Sequence, residues 1–89
     1  MPCAIRTTPR FRRCIAGKEA DALATMRQVR AGFGQPHLHA GTSIRKIAPD
    51  LFECRTDLKT RLVFIAQKGV LTFDFAGNHE DVQNYLRGR

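Results

Sequence analysis

The sequence predicts a single α+β domain over residues 1–89: a small twisted antiparallel sheet, elements in β-α-α-β-β-β-α order, with two helices packed on one face. Three observations lead there. The first half carries apolar residues at helical spacing. The second half is built of short β-prone blocks separated by turn residues. Cap-forming residues stand where one pattern gives way to the other.

"AIRTT" (4–8) alternates apolar and polar residues and reads as a short strand. Thr8-Pro9 is an N-cap followed by proline at the first helical position. "RFRRCIA" then makes about two turns with Phe11, Cys14 and Ile15 on one face, and Gly17 ends them. "KEADALATMRQVRAGFG" is the longest helix candidate, with Leu23, Met26, Val29 and Ala22 as its apolar stripe. Its acids fall in the first turn and its arginines in the last, as the helix dipole favours. Gly32, Gly34 and Pro36 stop it. "QPHLHAGTS" is a loop and "SIRKI" is an extended candidate.

The pattern then changes to β. "DLFECRT" puts Phe52 and Cys54 on one face and Glu53 and Arg55 on the other. "TRLVFIA" is a nearly continuous apolar run, expected of a central strand covered on both sides. Lys68-Gly69 is a turn. "VLTFDFA" alternates, with Leu71, Phe73 and Phe75 inward and Thr72 and Asp74 outward. Asn78 caps a last helix, Asp81 follows three residues later, and Val82, Tyr85 and Leu86 supply its stripe. Two helices on one face leave the other face concave and partly polar.

Charge bounds the function. The net charge is +7, and residues 1–46 hold nine Lys/Arg against Glu19 and Asp21, whereas residues 47–89 balance six against six. Such asymmetry points to a polyanionic partner, nucleic acid or an acidic protein segment. Eleven of the fifteen bases are arginine, the side chain suited to bidentate phosphate contacts. No apolar run approaches the roughly 18 residues that span a bilayer, so no membrane partner is expected. Cys3, Cys14 and Cys54 form no C-x-x-C pair, and the odd count suggests a reducing, cytoplasmic setting.

From "IRK" onward the chain resembles the RelE/ParE superfamily of bacterial toxin–antitoxin toxins. "LFECR" is similar to that family's aromatic-x-x-Arg strand, "TRLVF" to its Y-R-[LIV]-[LIV]-[FY] strand, and "GNHEDV" to its G-x-H-D-[DE]-x-Y ending. The matches cover residues 44 to 83. The resemblance implies a toxin that cuts messenger RNA in the ribosomal A site by attack of a 2′-hydroxyl on the adjacent phosphate, with no metal or other cofactor. It also implies neutralisation by an acidic antitoxin. Two other outcomes fit the same family: a ParE-type gyrase-binding toxin without nuclease activity, and a non-toxic binding relative.

The resemblance assigns the candidate residues. Arg61 matches the arginine that opens the central strand and would stabilise the phosphorane; its structural alternative is an ion pair with Asp74 or Glu53. His79 falls where the family places a group acting near the leaving oxygen, and imidazole suits that proton transfer. Lys46 stands where nuclease members carry lysines that act as bases or steer RNA. Arg45, Arg55 and Lys59 are RNA-binding candidates. His39 is one too, and could pair with His79 as base and acid; H-x-H at His37 and His39 signals no third zinc ligand. Gln83 occupies the place of the family tyrosine, while Tyr85 lies two residues on, roughly 200° around a helix.

Overall fold

The computed structural model describes residues 4–34, 43–56 and 59–88. The chain begins with β1 (Ala4–Thr7) and two helices, α1 (Pro9–Cys14) and α2 (Glu19–Gly32). Four strands follow: β2 (Arg45–Ala48), β3 (Leu51–Arg55), β4 (Arg61–Gln67) and β5 (Val70–Gly77). Helix α3 (His79–Arg87) closes the chain. The strands form one sheet in the order β1-β5-β4-β3-β2. β2 to β5 run as an antiparallel meander, one strand more than the β-β-β run expected, because "SIRKI" supplies its first strand. β1 adds a parallel pair beside β5, made possible by the α1–α2 crossover. The sheet is therefore mixed and five-stranded.

Local chemistry sets the boundaries. The Thr8 hydroxyl accepts from the Phe11 N–H at 3.2 Å, with Pro9 opening α1. Lys68 and Gly69 both have positive φ, 51° and 77°, which a two-residue hairpin of the twisted sheet requires. At α3 the capping box is complete: the Asp81 N–H donates to Asn78 Oδ1 at 2.7 Å, and the Asn78 N–H donates to Asp81 Oδ2 at 3.0 Å.

Helices α1 and α2 cover one face. Phe11, Ile15, Ala22, Met26 and Val29 pack there on Cys54, Leu62, Phe64, Leu71 and Phe73. Phe11, Phe73, Phe64, Phe52 and Phe33 form a chain of ring contacts with centroids 5.0–5.6 Å apart. Such pairs add about 0.5–1.5 kcal/mol each beyond the area they bury. The stripe of α2 is Ala22, Thr25, Met26 and Val29; Leu23, expected on it, lies one residue and so 100° off, and is 46% exposed.

The opposite face is not simply concave and polar. α3 lies across it, and Val82, Tyr85 and Leu86 pack on Leu51, Val63, Ile65 and Phe75. This cover accounts for the unbroken apolar run of β4, where Leu62 and Phe64 face α1 and α2 while Val63 and Ile65 face α3. It also corrects the expectation for Phe75. β5 carries an extra residue, Asp74, between the partners of Val63 and Phe64, so the alternation flips. Phe75 consequently stacks on Tyr85 at 4.9 Å under α3 instead of joining Phe73.

Candidate active site

Strand parity gathers the polar residues of β2, β3 and β4 on the α3 face. Arg45 pairs with Glu53, Glu53 with Val63, and Arg55 with Arg61. Arg61 in turn pairs with Gly77 on β5, where the absence of a side chain leaves its flank open toward the start of α3. Gly77 is itself required: a Cβ there would lie 2.6 Å from the Asp81 Cβ of the capping box.

A continuous chain of contacts results. Arg45 Nη2 donates to Glu53 Oε1 at 2.7 Å. Arg61 Nη1 donates to Glu53 Oε2 at 3.3 Å and meets His79 Nδ1 at 2.8 Å. Guanidinium has donors only, so His79 Nδ1 is the acceptor and the ring proton sits on Nε2. The Glu53 side chain is 6% exposed and that of Arg61 18%, whereas Arg45 keeps 64% of its surface. His79 is exposed on the first turn of α3. The site thus has a buried anchor, a half-buried cation and an exposed imidazole, in that order outward.

The other predicted residues are distributed around this chain. Arg55 is exposed on the same face, directly across from Arg61. Lys59 is exposed in the turn before Arg61 and borders a cleft of about 340 Å³ with Lys18, Thr60, Gly77 and Asn78. Lys46 is not brought to Arg61 and His79: it pairs with Phe52, whose ring packs with Phe33 and Phe64 on the α2 face. His39 and His37, and with them the pairing of His39 with His79, lie outside the described residues. Gln83 is half-buried one turn after His79, on the same side of α3.

Of the two ion-pair partners open to Arg61, the fold selects Glu53. Asp74 is engaged elsewhere: it accepts from the Tyr85 hydroxyl at 2.7 Å and lies 3.8 Å from Arg10. Glu53 as the hub of the site was the residue missed. Its signal in the sequence was a lone acid on the Arg55 face of β3, and only strand register shows that it joins two arginines. Cys54, next to it, points the other way into the core. Burial, and secondarily the neighbouring Glu53 charge, push its thiol up to about 12. It therefore remains a thiol, unsuited to metal binding or nucleophilic attack.

No protein-family model matches the sequence, and no curated protein matches it either. Solved structures do match in fold. YafQ from E. coli strain BL21(DE3) superposes with a TM-score of 0.67 at 12% identity, over 90% of this chain and 97% of that one. The E. coli DinJ–YafQ toxin–antitoxin complex gives 0.64 at 9% identity, over 92% and 98%. The toxin–antitoxin complex RelBE2 from Mycobacterium tuberculosis gives 0.56 at 15% identity, over 89% and 100%. These cover nearly the whole of both chains, so the likeness is one of complete architecture and not of a shared motif. With its sheet order, its paired helices on one face and its closing helix on the other, the chain has the RelE-like toxin fold.

Proposed function

We propose that the protein is the toxin of a toxin–antitoxin pair and an endoribonuclease that cleaves messenger RNA on the ribosome. The observation that carries this reading is the 2.8 Å contact between Arg61 and His79 at the edge of an arginine-rich sheet face. Cleavage forms a bond from the 2′-oxygen to phosphorus and breaks the bond to the 5′-oxygen, through a phosphorane of charge −2. Arg45, Arg55 and Arg61 outnumber Glu53 along β2 to β4, a cationic strand surface that favours the doubly charged transition state over the singly charged diester. The neutral ring held by Arg61 turns its Nε2–H away from that arginine, as a hydrogen-bond donor that stabilises the charge developing on the leaving 5′-oxygen, and the proton this oxygen takes up comes from solvent. Lys46, which strand parity turns away from Arg61 and His79, is assigned the steering of RNA toward the site, and the 2′-hydroxyl proton passes to solvent. Lys59 and His39 are assigned contacts to the flanking RNA. The scheme uses no metal and no cofactor.

The partner in this reading is an acidic antitoxin that covers the basic face; the solved DinJ–YafQ and RelBE2 complexes are toxins paired with antitoxins. No helix among the described residues is long and apolar enough to cross a membrane, which accords with a cytoplasmic place of action. One observation keeps a second reading, a gyrase-binding toxin of the ParE type. Gln83 stands one turn beyond His79 where a tyrosine would supply a stacking or acid group. Induced expression with RNA end-mapping separates the two. A-site cleavage that disappears in Arg61→Ala and His79→Ala supports the nuclease. Growth arrest with intact messages and DNA damage overturns it in favour of gyrase.

A further inference from the structure

We propose that Glu53 is a positioning residue of this site: its two carboxylate oxygens fix Arg45 and Arg61 and, through Arg61, hold His79 in the tautomer that presents Nε2–H to substrate. The kinetic part rests on the nuclease reading above; the tautomer part does not.

Three features support the assignment. Each oxygen of Glu53 has its own guanidinium, Oε1 to Arg45 at 2.7 Å and Oε2 to Arg61 at 3.3 Å, so one carboxylate ties β2 to β4 across β3. The Arg61 nitrogen that reaches Glu53 is the same Nη1 that reaches His79, so a guanidinium turned away from the carboxylate also leaves the imidazole. Finally, the carboxylate is buried at a cost. Its row neighbour on β4 is Val63, and Leu51 and Ile47 lie on the same face. An apolar residue in such a place is often as stabilising as a buried ion pair, so stability alone does not call for a glutamate. Orientation does: without Glu53, Arg61 would face only Arg55 across the strand pair, a like charge that drives it off the sheet.

The role is that of a rigid support. Glu53 touches neither substrate nor reacting atoms. It leaves the other Arg61 nitrogens for the phosphate, and it denies His79 the tautomer in which Nδ1 carries the proton and Nε2 is a bare acceptor.

The test uses the near-isosteric Glu53→Gln, with thermal melting as the control for folding. Imidazole 15N correlation spectra, assigned against a His37→Gln/His39→Gln double variant, read the His79 tautomer directly. The expected result is Nε2–H in the wild type and a mixture of tautomers in Glu53→Gln. RNA cleavage is expected to lose about 10–100-fold in kcat with little change in KM, the pattern of misplaced groups and not of weakened binding. Glu53→Asp, which keeps the charge, is expected to restore the tautomer and part of the rate. Should Glu53→Gln fail to fold, the wild-type spectrum and Glu53→Asp carry the test. A wild-type His79 protonated on Nδ1 overturns the proposal. So does a folded Glu53→Gln with unchanged tautomer and kcat. A wild-type protein that cleaves no RNA overturns the nuclease reading instead, while the tautomer still decides the role of Glu53.

Discussion

The two faces of the five-stranded sheet solve different problems. Under α1 and α2 the residues are interchangeable in kind: Phe11, Phe33, Phe52, Phe64 and Phe73 touch ring to ring, and among the described residues the buried members of this cluster are all apolar. Under and beside α3 the apolar cluster is smaller. It ends at Val63, and the next positions along β3 and β4 hold Glu53, Arg55 and Arg61. One face is built by burial, which is non-directional and roughly proportional to area. The other is built by donors and acceptors, which act only at hydrogen-bonding distance and direction. The difference teaches that stability and chemistry are separable in this molecule, one face at a time.

Substitutions should separate them in the laboratory. The largest effect is expected at His79→Ala, which removes the proposed hydrogen-bond donor to the leaving oxygen: cleavage should fall by about 10²–10³-fold. Because His79 is exposed, the melting temperature should stay within a few degrees. Parallel melting and cleavage assays check this; a variant that unfolds, or one that cleaves normally, would break the division between faces. On the other face, Phe64→Ala should cost about 3–5 kcal/mol of stability, measured by urea unfolding. Below its melting point the folded fraction should cleave at close to the wild-type rate.

The faces differed just as much in how legible they were. The helical face was readable because 3.6 and 2.0 periodicities report burial directly, and Phe11, Met26, Val29, Leu71 and Phe73 fall where the pattern puts them. The errors there were of one residue: Leu23 in place of the Ala22–Thr25–Met26 row, and Phe75 beyond a bulge that periodicity cannot foresee. The nearly unbroken apolar run of β4 already implied a cover on the second face, and only the location of α3 was missing. For the site, resemblance supplied Arg61 and His79, but their contact depends on Gly77 and on the exit angle of α3. Glu53 was visible only as one possible ion-pair partner, because joining β2 to β4 through β3 is a property of register. Lys46 shows the converse: adjacent to Arg45 in sequence, it is carried to the other side of the strand.

A third measurement probes the boundary between the faces, at Cys54. Its thiol is pushed from an ordinary 9.0 up to about 12, chiefly by burial. The unfolded chain thus ionises first. The stability this group preserves is complete below pH 9 and is lost as pH rises toward 12. Between those limits the slope should be about −1.4 kcal/mol per pH unit from this group alone. Urea midpoints of the wild type and Cys54→Ala at about pH 8.5, 9.5 and 10.5, spaced by roughly one unit as that slope allows, isolate it. The difference between the two proteins should shrink as pH rises. A constant difference would mean that Cys54 is more open to solvent than its position on the helical face implies.

The smallest effect tests whether the faces are joined at all. Asn78 ends β5 and starts α3, so it belongs to neither core, and its side chain accepts from the Asp81 N–H at 2.7 Å. Asn78→Ala should cost about 1 kcal/mol, the ordinary worth of an N-cap. It should also loosen the first turn of α3, which holds His79 against Arg61. Cleavage should therefore drop several-fold, more than the lost stability accounts for at temperatures where the protein stays folded. Asn78→Ser and Asn78→Asp, which keep an acceptor at the cap, should restore both quantities together. Stability restored without activity would mean that His79 is held by something other than the helix start. The contact with Arg61, and Glu53 behind it, would then be the stronger constraint on the imidazole.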